Sequence, residues 1–191
     1  TLVAVLRERT VVEAALGERQ RALELADAAR EASGMLAAMD SDNLLWQSYR
    51  AGALTTRAQL RAEGGRPWPD AAASSEFEAQ RERMLKLAVR APGSTFAVLA
   101  AAEAQRLAGD LVRGDPEIAA EHWRRGLDVL PSTAELRIPD EQFVAFALLQ
   151  RLGRTDEARA AAERLDAMGY RHPAYLQEVQ EGQEVPVLRL R

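Results

Sequence analysis

Apolar residues recur at intervals of three and four along most of the chain, which is the spacing of one face of an α-helix. A clear stripe of this kind consists of Ala158, Ala161, Ala162, Leu165 and Met168. Valine and isoleucine rarely form the apolar–polar alternation that a β-strand needs. Alanine, leucine, arginine and glutamate dominate the composition, and these residues favour helices. The pattern therefore predicts an all-α chain.

Glycine, proline and capping residues divide this pattern into helical segments joined by short connections. We expect helices over residues 2–16, 18–39, 43–62, 75–91, 94–112, 116–130, 139–153 and 155–169, and a last short turn from His172. The predicted N-caps lie within 40–43 and at Ser94, Asp115 and Thr155. Ser75 and Glu78 have the S-x-x-E spacing of a capping box. The Gly- and Pro-rich stretch after the third helix predicts a loop insertion at about 64–75. Short connections favour antiparallel hairpins.

A spaced motif, G-x4-A-x3-W-x2-G-x4-P, is formed by Gly114, Ala119, Trp123, Gly126 and Pro131. Glycine permits a tight turn between two helices, and the small residue five positions later lets the second helix approach the first. We expect the tryptophan to fill the groove between hairpins, and the proline to end the helix. Two other stretches share the core of this motif: Gly17, Ala22, Ala26 and Ala29, and Gly153, Ala158, Ala162 and Leu165.

This motif resembles the second half of a tetratricopeptide repeat, most clearly over residues 94–170. The resemblance implies a right-handed superhelical array of antiparallel helical hairpins, with one repeat domain over 1–180 and a tail over 181–191. Gly114 and Gly153 lie 39 positions apart, whereas the family's period is 34. Two departures from the family pattern are large residues where a small one is expected: Leu107 and Phe146. Another helical repeat and a closed helical bundle are the alternatives.

In the tetratricopeptide family the first helices of the hairpins line a concave groove that takes extended or helical peptide segments. Carried over to this chain, the resemblance gives these partner-binding positions: Gln47, Arg50, Ala104, Ala108, Leu111, Phe143, Ala147, Gln150 and Arg151. Phe143 and Leu111 would supply apolar contact, and Arg50 and Arg151 would bind a carboxylate. We therefore expect a non-catalytic scaffold that binds a protein or peptide. The alternative is structural self-association as a homodimer through residues 2–16 and the tail.

Charge and composition exclude several other classes of function. The formal net charge is −4 at pH 7 and no basic block is present, so a nucleic acid partner is not expected. No cysteine occurs, which excludes disulfides and thiolate chemistry. Apolar runs fall short of the roughly 20 residues that span a bilayer, so we expect no membrane insertion in this segment. Cytoplasmic and periplasmic locations both remain open, the latter as the soluble part of a membrane-anchored protein.

Candidate chemistry is sparse, so we expect neither an enzyme nor a cofactor or metal site. His122 and His172 are the only histidines, and neither has a second histidine at helical spacing. We expect a surface or groove-packing role for His122 and a capping role for His172. The acidic run that begins at Asp40 lacks the glycine and glutamate that a calcium loop needs. Asp40, Asn43 and Trp46 are similar to a D-x-x-N-x-x-W seam in repeat regions of bacterial membrane-anchored regulators. We therefore expect a part of a larger bacterial protein.

Two segments are left without a defined role by the helical pattern. Trp68 lies between two prolines in the predicted insertion, where we expect it to fold back over its hairpin; the alternative is an exposed anchor for a partner. Residues 184–191 alternate partly like a strand but are too short for a sheet. We expect this tail to pack along the last helices or to be disordered.

Overall fold

The computed structural model describes residues 1–63, 71–132, 136 and 138–184, and every regular element within these ranges is an α-helix. The helices are α1 (Leu2–Ala15), α2 (Arg19–Met39), α3 (Leu44–Glu63), α4 (Ala71–Arg90), α5 (Thr95–Leu111), α6 (Pro116–Asp128), α7 (Pro139–Arg151), α8 (Thr155–Ala167) and α9 (Pro173–Glu184). The all-α prediction is therefore confirmed over these ranges. Three predicted features lie outside the described residues: Trp68, the first part of the insertion (64–70) and the tail beyond residue 184.

Local capping explains where several helices begin. The side chains of Asn43, Ser94 and Asp115 each accept a hydrogen bond from the backbone N–H three residues later, at 3.2, 3.4 and 3.2 Å. These contacts satisfy backbone donors that the first helical turn leaves free. At the connections, Gly17 and Gly153 adopt φ values of +81° and +70°, which glycine tolerates without strain. The predicted caps at these three positions are confirmed.

Two predicted helix starts are wrong. Ser75 does not begin a helix, because α4 already starts at Ala71 and places this serine in its second turn. The three alanines at 71–73 have the highest helix propensity of any residue, which favours this earlier start. Residues 71–75 of the predicted insertion therefore belong to α4. Thr155 is the first residue of α8, and the N-cap position is Arg154, which makes no side-chain capping bond.

The helices pack largely in the order in which they occur along the chain. The closest pairs are α1 with α2, α2 with α3, α5 with α6, and α7 with α8. The odd-numbered helices also touch in a row, α1 with α3, then α5, α7 and α9. This sequential packing is that of a helical-repeat-like protein. None of the described helices is both long and apolar enough to cross a membrane.

Small residues allow the close approach of paired helices. The alanines five positions after the motif glycines, Ala22, Ala119 and Ala158, are buried, as their place in the motif predicts. Trp123 is partly buried and packs against the main hydrophobic core. Its indole lies over Gly109 of α5, within the same hairpin, and its N–H donates to the backbone of Arg106 at 3.3 Å. Gly109 leaves the space for this ring, because a Cβ there would lie 2.6 Å from the indole Cδ1.

Candidate binding clefts

Five of the predicted partner-binding side chains are buried inside the fold. The exposed fraction is at most 8 % for each of Gln47, Ala104, Ala108, Phe143 and Ala147. Helix α5 packs against α3, α4, α6 and α7, so its alanines are covered by neighbouring helices rather than lining an open groove. These side chains are therefore largely covered, although Gln47, Ala108 and Phe143 still contribute to the linings of clefts. Gln150, near the end of α7, is partly exposed.

Phe143 belongs to an aromatic cluster that joins α7 to the end of the chain. Its ring centroid lies 6.2 Å from that of Tyr170, 6.4 Å from that of His172 and 6.2 Å from that of Tyr175. Tyr175 of α9 is only 2 % exposed. His172 accepts a hydrogen bond from the backbone of Ala174 at 3.3 Å, the capping role predicted for it. The cluster holds α9 in place, so Phe143 acts as a core residue.

Arg151 is the centre of an ion-pair network that connects three helices. Its guanidinium donates to Asp110 of α5 at 2.6 and 3.0 Å, and to Glu178 of α9 at 2.7 and 3.0 Å. A fifth bond goes to the carbonyl of Ala147 at 2.9 Å. The sequence predicted that this arginine would bind a partner's carboxylate. The chain itself supplies two carboxylates, so all five N–H groups of Arg151 are already used.

The burial of this network shifts the pKa values of its members. Burial alone would raise the pKa of Asp110, but Arg151, Arg106 and Arg113 hold it below its usual value. Burial would lower the pKa of Arg151, and its contacts with Glu178 and Asp110 raise it instead. The opposing charges therefore compensate for the loss of solvent around both groups. The guanidinium of Arg151 is therefore fully engaged within the chain and is not an open cationic site.

A small cleft adjoins the network, and we call it the α5–α9 cleft. It measures about 290 Å³ and its lining includes Leu111, Phe143, Arg151 and Glu178. Three predicted binding residues are thus brought together here. Helix α9 contributes Ala174, Gln177 and Glu178 to this lining, and Glu178 is already paired with Arg151 at 2.7 Å.

The larger cleft lies between α2, α3 and α4, and we call it the α2–α4 cleft. It measures about 780 Å³ and is lined by Gly34, Ala37, Ala38, Gln47, Arg50, Glu76, Ala79, Gln80, Glu82, Arg83 and Lys86. Two of the predicted partner-binding residues, Gln47 and Arg50, are among them. The cleft is formed largely by second helices of hairpins, α2 and α4, whereas the resemblance implied first helices alone.

Polar contacts fix the floor of the α2–α4 cleft. The amide of Gln80 donates to the side-chain oxygen of Gln47 at 3.2 Å and to its backbone carbonyl at 3.1 Å. Arg50 donates to Glu76 at 2.8 Å. The guanidinium of Arg50 lies against Gly34 of α2, where a Cβ would stand 2.8 Å from its Nη1. Glycine at this position therefore permits the arginine to lie across the cleft.

Two cations at the rim of this cleft are not neutralised by a described carboxylate. Arg83 donates one hydrogen bond to the backbone carbonyl of Ser41, and its buried Nε has no partner among the described residues. Lys86 is exposed and makes no polar contact within the described part of the chain. In contrast, Glu82 pairs with Arg81 at 3.0 Å. The rim therefore carries positive charge that is available to a ligand.

Sequence reasoning missed Arg83 and Lys86 as potential binding residues. Both lie on α4. Their spacing of three positions, which puts both on one helical face, was the available signal. Over the described ranges, no group of three or more His, Cys, Asp or Glu side chains is arranged to hold a metal ion. No family model, curated protein or solved structure matches this chain.

Proposed function

We propose that this chain is a non-catalytic tetratricopeptide-like scaffold that binds an acidic protein or peptide segment in the α2–α4 cleft. The observation that carries this proposal is the pair of unneutralised cations, Arg83 and Lys86, at the rim of the largest cleft described. A carboxylate-bearing segment would supply the charge that the chain itself does not place there.

The local charge supports an acidic ligand even though the chain as a whole is negative. The formal net charge is −4, yet the cleft lining holds three cations and two carboxylates. Glu76 is already shared between Arg50 and Arg30, at 2.8 and 3.5 Å. The lining carboxylates are therefore committed to other arginines. Opposite charge at a cleft attracts its ligand and contributes to the rate of association.

The size and lining of the cleft fit a short peptide segment. At about 780 Å³ the cleft is within the range of sites that enclose a drug-sized ligand, which corresponds to a few residues of a peptide. Ala37, Ala38 and Ala79 give part of its surface short apolar side chains, which let a backbone approach closely.

Sequential packing and the glycine-initiated turns support the tetratricopeptide-like part of the proposal. In this proposal the hairpins form a right-handed superhelical array, and the chain belongs to a larger bacterial protein. The alternative function is structural self-association. One observation favours it independently: a row of exposed apolar side chains along α1.

A peptide selection followed by a binding measurement tests the proposed function. Phage-displayed random 12-residue peptides would be selected on the intact chain, and the enriched sequences titrated by fluorescence polarisation. We expect enrichment of aspartate and glutamate. Reversing both rim charges with Arg83→Glu and Lys86→Glu should weaken binding by at least tenfold, because each carboxylate contact is lost and a repulsion is introduced.

A matched control reverses two exposed arginines, one at the N-cap position of α8 and one within that helix, by Arg154→Glu and Arg159→Glu. This control changes the net charge by the same amount, so a general electrostatic effect would weaken peptide binding equally in both variants. Equal affinities of the two variants, or selected peptides without acidic enrichment, would contradict the proposed site.

A further inference from the structure

Arg50 is a second cationic group in the α2–α4 cleft, apart from the two cations at the rim. It lies on α3 and lines the cleft, and its side chain is 26 % exposed. A guanidinium carries five N–H groups, and within the described ranges Arg50 donates one hydrogen bond, to Glu76 at 2.8 Å. Over the same ranges no nitrogen of Arg50 is both buried and without a partner, so its unused donors reach solvent. Arg50 therefore retains donors for a ligand's carboxylate.

Gly34 of α2 allows the Arg50 guanidinium to lie in this place. Glycine inside a helix is less favourable than alanine, so its presence within α2 calls for a structural reason. A Cβ at this position would stand 2.8 Å from Nη1 of Arg50. That nitrogen is the far end of a flexible side chain, so an added methyl group would move the guanidinium and leave the helix backbone in place. Gly34 is therefore a positioning residue for Arg50.

The cations of the cleft lie toward the two ends of one face of α4. The lining residues of this helix include positions 76, 79, 80, 83 and 86, which have the spacing of a single helical face. Arg50 is bonded to Glu76 at one end of this face, and Arg83 and Lys86 lie at the other end. At 1.5 Å per residue, Glu76 is about 10.5 Å from Arg83 and about 15 Å from Lys86 along the helix axis.

The volume of the cleft favours an extended ligand over a helical one. A helix is about 10 Å wide, so a helical segment that spans about 15 Å occupies about 1,200 Å³. The cleft measures about 780 Å³, and Ala37, Ala38 and Ala79 contribute short side chains to its lining. An extended chain is thinner, rises about 3.3 Å per residue, and places every second side chain on the same side.

We infer that the partner segment is an extended peptide with two acidic residues four positions apart, one bound by Arg50 and the other by Arg83 and Lys86. This inference rests on the proposed function and adds the spacing of the ligand's acidic groups. Four residues of extended chain span about 13 Å, which lies between the two axial distances along α4. An odd spacing would turn one of the two carboxylates away from the cleft, because successive side chains of an extended chain point to opposite sides.

A series of synthetic peptides of one length tests the spacing. Each peptide carries two glutamates, from two to seven positions apart, in a background of alanine, serine and glutamine; a further peptide carries a single glutamate. Binding to the intact chain is measured by fluorescence polarisation. We expect the tightest binding at a spacing of four, at least tenfold tighter than that of the single-glutamate peptide and at least fivefold tighter than at spacings of three and five.

Two variants test whether Arg50 binds the second glutamate. Gly34→Ala and Arg50→Gln should each weaken binding of the peptide with spacing four at least tenfold, to the level of the single-glutamate peptide. Neither should change the affinity of the single-glutamate peptide, which binds at the rim. Gly52→Ala is the matched control, because a Cβ there would lie 2.5 Å from the guanidinium of Arg7, which does not line this cleft. Urea unfolding shows that each variant is folded before its affinity is compared.

Several results would overturn this inference. One is an affinity that does not vary with spacing, and another is a maximum at seven positions, which span about 10.5 Å in a helix. Equal losses for the two-glutamate and single-glutamate peptides in Gly34→Ala would mean that the methyl group only narrows the cleft. In these cases the peptides still bind, so the proposed function stands while the assigned spacing or the role of Arg50 fails. If no peptide of the series binds, the inference fails together with the proposed function.

Discussion

Replacing Arg151 by leucine tests whether the buried ion-pair network joins α5, α7 and α9. The substitution removes five hydrogen bonds and leaves Asp110 and Glu178 buried, with side chains 14 and 15 % exposed. Removing one partner of a buried pair costs about 3–5 kcal/mol, because the remaining charge is left uncompensated. Arg106 still lies 3.2 Å from Asp110 and 3.7 Å from Glu178, so we expect the lower end, about 3 kcal/mol.

Urea unfolding followed by circular dichroism at neutral pH measures this loss. Arg113→Leu is the matched control, because Arg113 also pairs with Asp110, at 3.1 Å, but its side chain is 57 % exposed. An exposed ion pair contributes at most about 1 kcal/mol to the free energy of unfolding, so Arg113→Leu should be nearly as stable as the unsubstituted chain. A loss below about 1 kcal/mol for Arg151→Leu, or one equal to that of the control, would refute the account of the network.

The pH dependence of the same variant supplies a second check with a definite sign. The folded pKa of Asp110 lies below the usual value of 3.8. Its contribution to stability is therefore complete well above that value and is lost as the pH falls through the folded pKa. The difference in stability between the unsubstituted chain and Arg151→Leu should shrink in the same acidic range. A difference that stays constant would contradict the assignment of the loss to an ionised Asp110.

Three further predictions concern α5 and α6. Gly109→Ala should destabilise by about 1–3 kcal/mol in urea unfolding, because its methyl group would meet the Trp123 indole, whereas Gly114→Ala, with open space around it, should not. Trp123→Ala should lower the free energy of unfolding by about 2–3 kcal/mol, which is less than the loss expected for a fully buried tryptophan, because Trp123 is only partly buried. An unchanged urea midpoint would contradict the packing of this side chain. Burial, and then the nearby Arg81, lower the pKa of His122 below 6.5, so stability should fall as the pH decreases through about 6.5. The His122→Gln variant should lose this part of the pH dependence of the urea midpoint.

Local physical chemistry explains what could be predicted from the sequence. The caps at Ser94 and Asp115 depend on contacts within four residues, and the buried alanines follow from helical periodicity. The position of Gly17 and Gly153 in turns follows from their freedom to adopt positive φ. Such features are fixed by neighbours in the chain, so the sequence alone is sufficient.

The candidate sites depend on partners that are distant in the chain. Arg151 contacts Asp110 and Glu178, which lie 41 and 27 residues away in the chain. The periodicity of the sequence does not predict which carboxylate will face an arginine over such separations. Ala104 and Ala147 illustrate a second limit, because alanine suits both a groove wall and a tight helix contact. Their burial is decided by how closely the neighbouring helices approach, which is a property of the assembled fold.

Hydrogen–deuterium exchange with a selected acidic peptide tests the central claim most directly. Amide exchange would be compared in the free and peptide-saturated chain, and again in the Arg83→Glu, Lys86→Glu variant. We predict that the peptide slows exchange in α2, α3 and α4, leaves α7 and α8 unchanged, and has no effect on the variant. Protection centred on α5, α7 and α9, or protection that survives reversal of both rim charges, would contradict binding in the α2–α4 cleft.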